Sequence, residues 1–484
     1  MIQPTLAFQS TPAVTVGAFL PCFVAVAMWI GLVGYGLWNL RSHPKGLNPL
    51  FFTEMWERFS YYGMRALLML YMIAPASSGG LGMAKEWAGT VYALYTFFVY
   101  ALSVPGGWIA DRFLGHRRAV VLGASLIILG ELGLAAGPLP LFYGGLTATA
   151  FGTGLLKTNC TSLVGLLYKQ NDSRRDAGFT LYYMGINVGA FIAPLILGFM
   201  AQGSVFGTAL ETMGFAANSG WRWAFGLTSL AMLAGLVQFL LRQRILGEVG
   251  RHQAPKPLIP SSHQARVPLA QEDRNRMWVV AILVIFIMTF FFVFEQAGTT
   301  LNLFAAEHTR CSFGTWSFPS SWFQSVNSLW ILLLAPVFSW LWVHLGDKEP
   351  SSPVKFTWGL CFVGAGMLLL VAPSLAYTAN PALKVSPLWL VGVYLVQTLG
   401  ELCLSPVGLS TVSKLAPARY TGLMMGVFLF AIGLGNMLAG LVGGFSEHLP
   451  PATLFGGIFG ITTVMAMVLK MLTPTIKRMM GGVR

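Results

Sequence analysis

Long apolar stretches recur along almost the whole chain, with short polar or basic segments between them. Each is close to the roughly 20 mostly apolar residues that a helix needs to cross a bilayer. The first runs from Ala13 to Leu40. Others follow near 48–75, 86–110, 119–137, 139–168, 178–202 and 221–241, and then near 277–305, 320–345, 355–376, 387–412, 421–446 and 452–473. The two groups are separated by a polar stretch, Arg242 to Arg276, rich in Pro, Gln and basic residues and without an apolar run able to span. The pattern predicts an all-α polytopic membrane protein of two six-helix bundles, residues 46–241 and 277–484, joined by a cytoplasmic linker at 242–276. Residues 1–45 form an extra N-terminal hydrophobic segment. Its apolar run is too long and too far from Met1 for a usual signal peptide. It is read as a real but dispensable helix, with a start-site artefact as the alternative.

Composition agrees. Of 484 residues 55% are hydrophobic and only 10% charged, where soluble proteins carry about a quarter charged. This excludes a soluble enzyme, a disordered chain and a disulfide scaffold. The net charge of +13 is distributed by loop. Alternate loops hold Arg112, Arg117 and Arg118; Lys169, Arg174 and Arg175; the linker; Lys348 and Lys355; and Lys414 and Arg419, with Lys477, Arg478 and Arg484 in the tail. The opposite loops hold only Lys85, Arg222, Arg310 and Lys384. Both ends of the twelve-helix core therefore lie inside. The basic residues read as topology and attraction to an anionic leaflet, and no basic domain exists for nucleic acid. Five Cys without CxxC or Cys/His spacing argue against a disulfide framework or a metal site.

Ionisable residues inside spans cost about 2.5–3.5 kcal/mol each at the bilayer centre and are functional candidates by default. Glu54, Glu57, Arg58 and Arg65 fall in the first core helix, Glu131 in the third, Lys157 in the fourth, Glu295 in the seventh and Glu401 in the tenth. Lys470, near the end of the last, snorkels to the inner interface. Glu131 has no assigned role. At 100° per residue, Glu54, Glu57, Arg58, Tyr61, Tyr62 and Arg65 share an arc of about 140°. In water this would be a salt-bridged helix face, with Glu54 and Arg58 as an i,i+4 pair. In a bilayer such a face must look into a bundle or an aqueous cavity.

The run Glu54-Met55-Trp56-Glu57-Arg58-Phe59-Ser60-Tyr61-Tyr62-Gly63 resembles the E-x-x-E-R-F-x-Y-Y-G signature of the proton-dependent oligopeptide transporter family, part of the major facilitator superfamily. Gly107 to Arg118 resembles that superfamily's loop between helices 2 and 3. Phe151 to Lys157 resembles the family's glycine-lysine motif on helix 4, and Tyr182 to Ala190 is similar to F-Y-x-x-I-N-x-G-S on helix 5. Gly400 to Gly408 completes the set on helix 10. The resemblance runs from about His43 to the C-terminus. The sequence departs from it at Tyr182 and Ala190, the first and last positions of the helix-5 motif; Gln324 to Ser328 lacks the usual Asn-Pro, Phe428 stands near where many relatives place Trp, and Ala93 replaces the histidine of animal members.

The resemblance implies a major-facilitator-type fold and a proton-coupled symporter that imports di- and tripeptides, with peptide-like drugs as further ligands. The protein would act as a monomer, without cofactors other than the coupling protons, in the cytoplasmic (inner) membrane. The short loops look bacterial. A promiscuous peptide site must hold the constant termini, and carboxylates bind best to Arg or Lys and ammonium groups to Glu. Arg58 and Lys157 are expected to hold the peptide carboxylate and Glu401 its ammonium. Asn187 and Asn327 would bond the backbone, while Tyr61, Tyr62, Tyr100, Tyr183 and Phe428 line the pocket. Glu54, Glu57, Arg58 and Lys157 form the expected proton-coupling network, because burial favours a neutral Glu and neighbouring cations a charged one. Arg65 and Glu295 complete the pocket and are expected, by family analogy, to pair as an outer gate. Asp111, Arg112 and Arg117 are assigned to inner-side packing.

Two rival readings remain at this stage. One is a different substrate in the same scaffold. The other is a sensor without flux or an intramembrane enzyme. No GxSxG, HExxH or paired-Asp motif lies in a span, and a sensor would need an appended signalling domain.

Overall fold

A computed structural model of the chain describes residues 20–169, 172, 174–251, 271–313, 316–380, 384–417 and 420–481. The helices, in order, are α1 (Leu20–Leu40), α2 (Leu47–Ile73), α3 (Lys85–Ala101), α4 (Ser103–Ile109), α5 (His116–Ala136), α6 (Leu139–Leu166), α7 (Arg175–Gln202), α8 (Ser204–Thr212) and α9 (Gly220–Arg242). The second half holds α10 (Gln271–Phe294), α11 (Thr300–Glu307), α12 (Gln324–Leu345), α13 (Ser352–Leu369), α14 (Val371–Ala379), α15 (Pro387–Leu415), α16 (Thr421–Gly444) and α17 (Pro451–Met479). A two-stranded hairpin, Ser312–Phe313 with Trp316–Ser317, follows α11.

Among the described residues, eleven helical stretches are long and apolar enough to cross a membrane. The twelfth core span is α2, which at 27 residues is long enough but carries four charges. It tolerates them by burial: Glu54, Glu57, Arg58 and Arg65 are all enclosed by protein rather than lipid. The described helices thus give six spans on each side of the linker. α1 lies outside this core, against α7 and α2, with the Trp29 and Trp56 ring centroids 5.9 Å apart. Residues 13–19 of the expected first stretch lie outside the described residues, as do 252–270 of the linker.

Several boundaries differ from the sequence reading. α10 starts at Gln271, inside the stretch read as linker, because its first turn places Glu272 and Asp273 at the positive end of the helix dipole. α17 continues to Met479, past the expected end near 473, and its last turn holds Lys477 and Arg478, which suit the negative end. The seventh span is not one helix. It breaks into a 3-10 turn at Glu295–Gly298 and resumes as α11.

The halves meet at the ends remote from the linker. Lys85 pairs with Glu307 at 2.7 Å, Ser321 Oγ donates to Gln202 Oε1 at 2.8 Å, and Asn302 Nδ2 donates to the Ala66 carbonyl at 2.9 Å. α3 and α16 cross with small residues in contact. A Cβ on Gly89 would fall 2.4 Å from Gly444 Cα, and one on Gly440 would fall 2.7 Å from the Ala93 Cβ. Close backbone approach of this kind favours helix association in lipid. It also accounts for Ala93, where an imidazole has no room. These contacts hold the two halves together at the outer end.

Arg117 serves packing as expected. Its guanidinium donates to the Val249 and Gly247 carbonyls at 2.7 and 2.6 Å and fastens the turn after α9 to α5.

Candidate functional site

The polar arc of α2 faces the interface between the halves. Arg58 collects both motif acids: its Nε lies 3.3 Å from Glu54 Oε1 and donates to the Glu57 carboxylate. Tyr182 Oη, on α7, donates to Glu54 Oε2 at 2.5 Å. The guanidinium carbon sits 5.0 Å from the centre of the Tyr61 ring. Among the described residues, three polar atoms of this cluster are buried without a hydrogen-bond partner: Glu57 Oε1, Arg58 Nη2 and Tyr61 Oη. A buried unpartnered donor on a cation is costly and fits an incoming anionic group.

Lys157 rises from α6 beside this cluster, its Nζ 4.1 Å from the centre of the Tyr100 ring. Among the described residues no carboxylate oxygen lies within 4.0 Å of it. The sequence reading joined Lys157 to the Glu54 and Glu57 network. The structure places both acids on Arg58 and leaves the lysine on an aromatic face.

Across the interface, Glu401 on α15 accepts from Asn327 Nδ2, on α12, at 3.0 Å. The same amide lies 3.0 Å from Thr398 Oγ1. Asn327 therefore spans two helices of its own half and orients Glu401. No Lys or Arg nitrogen approaches Glu401 within 4.0 Å among the described residues. Toward the outer end, Arg65 Nη2 lies 3.0 Å from Glu295 Oε2, and Arg65 Nε donates to Tyr92 Oη at 3.2 Å. This pair joins α2 to the broken segment of the seventh span and is almost fully buried. Gly298 permits the approach, since a Cβ there would lie 1.9 Å from Tyr92 Oη and 3.0 Å from Arg65 Nε.

A cavity of about 270 Å³ lies among these groups, near the lower end of the ligand-site range of about 300–1,000 Å³. Arg58, Tyr62, Arg65, Tyr100, Lys157, Tyr183, Asn187, Glu295, Asn327, Glu401 and Phe428 all line it. Glu54, Glu57 and Tyr61 do not: the two acids stand behind Arg58, and Tyr61 is buried beneath the guanidinium instead of lining the pocket. Asn187 Nδ2 is engaged by the Tyr183 carbonyl of its own helix at 3.1 Å.

The cavity also exposes residues that the sequence reading missed. Tyr394, Gln397, Glu401 and Ser405 form one stripe of α15, and Gln324, Asn327, Ser328 and Ile331 one stripe of α12. Their spacings, i, i+3, i+7, i+11 on α15 and i, i+3, i+4, i+7 on α12, are those of a helix face, so extending the face from Glu401 or Asn327 would have found them. Gln397 stands out because both ends of its buried amide lack a partner among the described residues. A larger hollow of about 500 Å³, lined by Trp342, Lys355 and Lys414, lies within the second half on the linker side and not between the halves.

The POT family profile matches residues 117–262 and 258–453. The chain is 37% identical to the peptide transporter YePEPT of Yersinia enterocolitica, over 91% of this chain and 96% of that one. It is 34% identical to a di-/tripeptide transporter of Lactococcus lactis, over 92% and 98%. Among solved structures, a variant of a peptide transporter POT in complex with alafosfalin superposes with a TM-score of 0.81 at 35% identity, over 91% of this chain and 96% of that one. A POT family transporter in complex with 5-aminolevulinic acid gives 0.79 at 31% identity, over 90% and 97%.

Proposed function

Because this chain belongs to the POT family, whose members are transporters and not enzymes, we propose that it imports di- and tripeptides across the cytoplasmic membrane, coupled to protons, by alternating access. One observation carries the reading. Among the described residues, the cavity between the halves has unsatisfied positive charge on one side, at Arg58 Nη2 and Lys157, and an acid without a cationic partner on the other, Glu401. A short zwitterion complements both. Its carboxylate reaches Arg58 and Lys157 in the first half, and its ammonium reaches Glu401 in the second. A ligand that bridges the halves stabilises their approach, which alternating access requires.

Gln397 adds a claim on the middle of the substrate. Its unpartnered C=O and NH₂ match the N–H and C=O of one peptide bond. Phe428 and Ile331 leave apolar wall for variable side chains.

Proton coupling enters through Arg58. A substrate carboxylate at the guanidinium competes with Glu54 and Glu57 for it. A buried acid that loses its cation takes a proton more readily, so peptide and proton binding support each other, as linkage demands of a symporter. Peptide-like molecules with an amine and an acid at opposite ends fit the same polarity. Relatives bound to alafosfalin, 5-aminolevulinic acid and a thioalcohol-conjugated peptide support that breadth. The test is uptake of labelled dialanine into proteoliposomes under an inward proton gradient. Uptake that ignores the gradient would contradict the coupling.

A further inference from the structure

We propose that the hollow of about 500 Å³ on the linker side of the second half binds the phosphate of a phosphate ester, supplied by an anionic phospholipid of that leaflet or by a soluble ester. Such a site is separate from the central cavity and from whatever that cavity carries. Four helix ends enclose the hollow: the last turns of α12, α15 and α17 and the start of α13. Its lining holds three lysines, Lys355, Lys414 and Lys477, against one acid, Glu349.

Two of the lysines have an ordinary explanation. Lys414 and Lys477 fall in the last turns of α15 and α17, where a cation suits the negative end of the helix dipole. Lys355 does not fit that account. It lies at the start of α13, where a cation meets the positive end of the dipole, and it is buried. A buried cation in that place calls for an anion. Glu349 supplies one: its carboxylate accepts from Lys355 Nζ, which also lies 4.1 Å from the centre of the Trp342 ring. The pair is unequal, since the Glu349 side chain is 43% exposed and that of Lys355 only 7%. Glu349 is the rim and Lys355 the floor. An anion that enters the hollow can replace the acid and leave the lysine in place.

The start of α13 also leaves donors for such an anion. Ser351 is the N-cap residue, yet its side chain makes no capping bond, and its Oγ is buried without a partner among the described residues. Pro353 has no N–H, and the Val354 and Lys355 N–H groups both go to the Ser351 carbonyl. The Ser352 N–H has no acceptor within its own helix. A hydroxyl, a backbone N–H at a helix start and an ammonium group together suit phosphate.

Size and depth favour an ester over the bare ion. A phosphate ion fills a small part of this hollow, whose volume falls in the ligand-site range of about 300–1,000 Å³. Trp340 and Val343 flank Trp342 and are both well exposed. Tryptophans at the end of a span mark the headgroup level, and a basic hollow between helices at that depth is within reach of a lipid phosphate.

Thermal unfolding of the purified full chain in detergent, followed by tryptophan fluorescence, reads binding without transport. The probes are phosphatidylglycerol, diacylglycerol, which lacks the phosphate, and glycerol phosphate. Wild type is expected to be stabilised saturably by a phosphate-bearing probe and not by diacylglycerol. Saturation by phosphatidylglycerol alone assigns the site to the leaflet; saturation by glycerol phosphate, with or without the lipid, opens it to a soluble ester. Lys414→Gln with Lys477→Gln should weaken the binding about tenfold or more, the worth of a hydrogen bond to a charged group. Lys45→Gln with Lys169→Gln removes the same charge from exposed positions of the first half and should leave the affinity within about twofold. No saturable stabilisation by either phosphate probe, or an equal loss in the two double variants, would overturn the site. Should the first double variant not fold, Ser351→Ala, which removes no capping bond, is expected to weaken binding about fivefold, as a hydrogen bond would. Unchanged affinity in that variant has the same consequence.

Discussion

Lys157 Nζ sits 4.1 Å from the centre of the Tyr100 ring, on an aromatic face and not against either motif glutamate. A ring holds an ammonium group through its quadrupole and does not neutralise it, so the lysine stays available to an anion. Tyr100→Phe keeps the face and should bind dialanine about as wild type does. Tyr100→Leu removes it and should weaken binding by about 0.5–2 kcal/mol, the range of such contacts. Calorimetric titration of the two variants checks the contrast. Equal affinities for Phe and Leu would show that the ring does not position the lysine.

The buried Arg65 and Glu295 pair binds the halves together at the outer end. Removing one partner of a buried ion pair strands the other, at a cost of about 3–5 kcal/mol. Arg65→Ala and Glu295→Ala are therefore expected to lose uptake and thermal stability, and the charge-exchanged double variant to regain part of both. Gly298→Ala probes the same latch without altering charge, because its Cβ would displace Tyr92 Oη. It should impair uptake in a protein that still folds. Wild-type uptake by Gly298→Ala would mean that the outer contact carries no gating load.

Glu401 is oriented by Asn327 and meets no cation among the described residues. If it receives the substrate ammonium, Glu401→Gln should weaken dialanine binding by about 1.5–3 kcal/mol, the worth of a hydrogen bond to a charged group. N-acetyl-dialanine, which lacks the ammonium, should bind weakly to wild type and change little in the variant. Competition assays with the two ligands give the comparison. A parallel loss for both would assign Glu401 to structure.

Gln397 makes a separate prediction. An ester analogue of dialanine lacks the peptide N–H that the Gln397 carbonyl would accept. Wild type should discriminate against the ester, and Gln397→Leu should lose both affinity for dialanine and the discrimination. Retained discrimination in that variant would place the amide contact elsewhere.

Much of this was legible in the sequence because charge is so costly in a bilayer. Glu54, Arg58, Arg65, Lys157, Glu295 and Glu401 stood out as ionisable residues in apolar runs, and the structure gathers them around one interface. What stayed hidden depends on packing. The periodicity that put Tyr61 on the polar arc does not show that Arg58 lies across its ring. The partition of both acids to Arg58, with Lys157 left apart, depends on rotamers that no spacing encodes. The break at Glu295–Gly298 left only a faint trace, a glycine followed by two threonines inside an apolar run. Glu131 was visible as an anomaly, but its hydrogen-bond donor, Ser60, sits on the far side of its helix from the polar arc, so the pairing needed coordinates. The start of α10 was misplaced because a polar first turn resembles linker when it projects beyond the bilayer.

The central claim is that peptide and protons move together through the site at Arg58 and Lys157. Dialanine uptake into proteoliposomes with an inward proton gradient, with and without a proton-leak agent, tests it most directly, using Glu57→Gln and Lys157→Ala as controls. Concentrative uptake that collapses with the leak and is lost in both variants is the expected result. Uptake that persists with the leak, or equal driven uptake in wild type and variants, would contradict it.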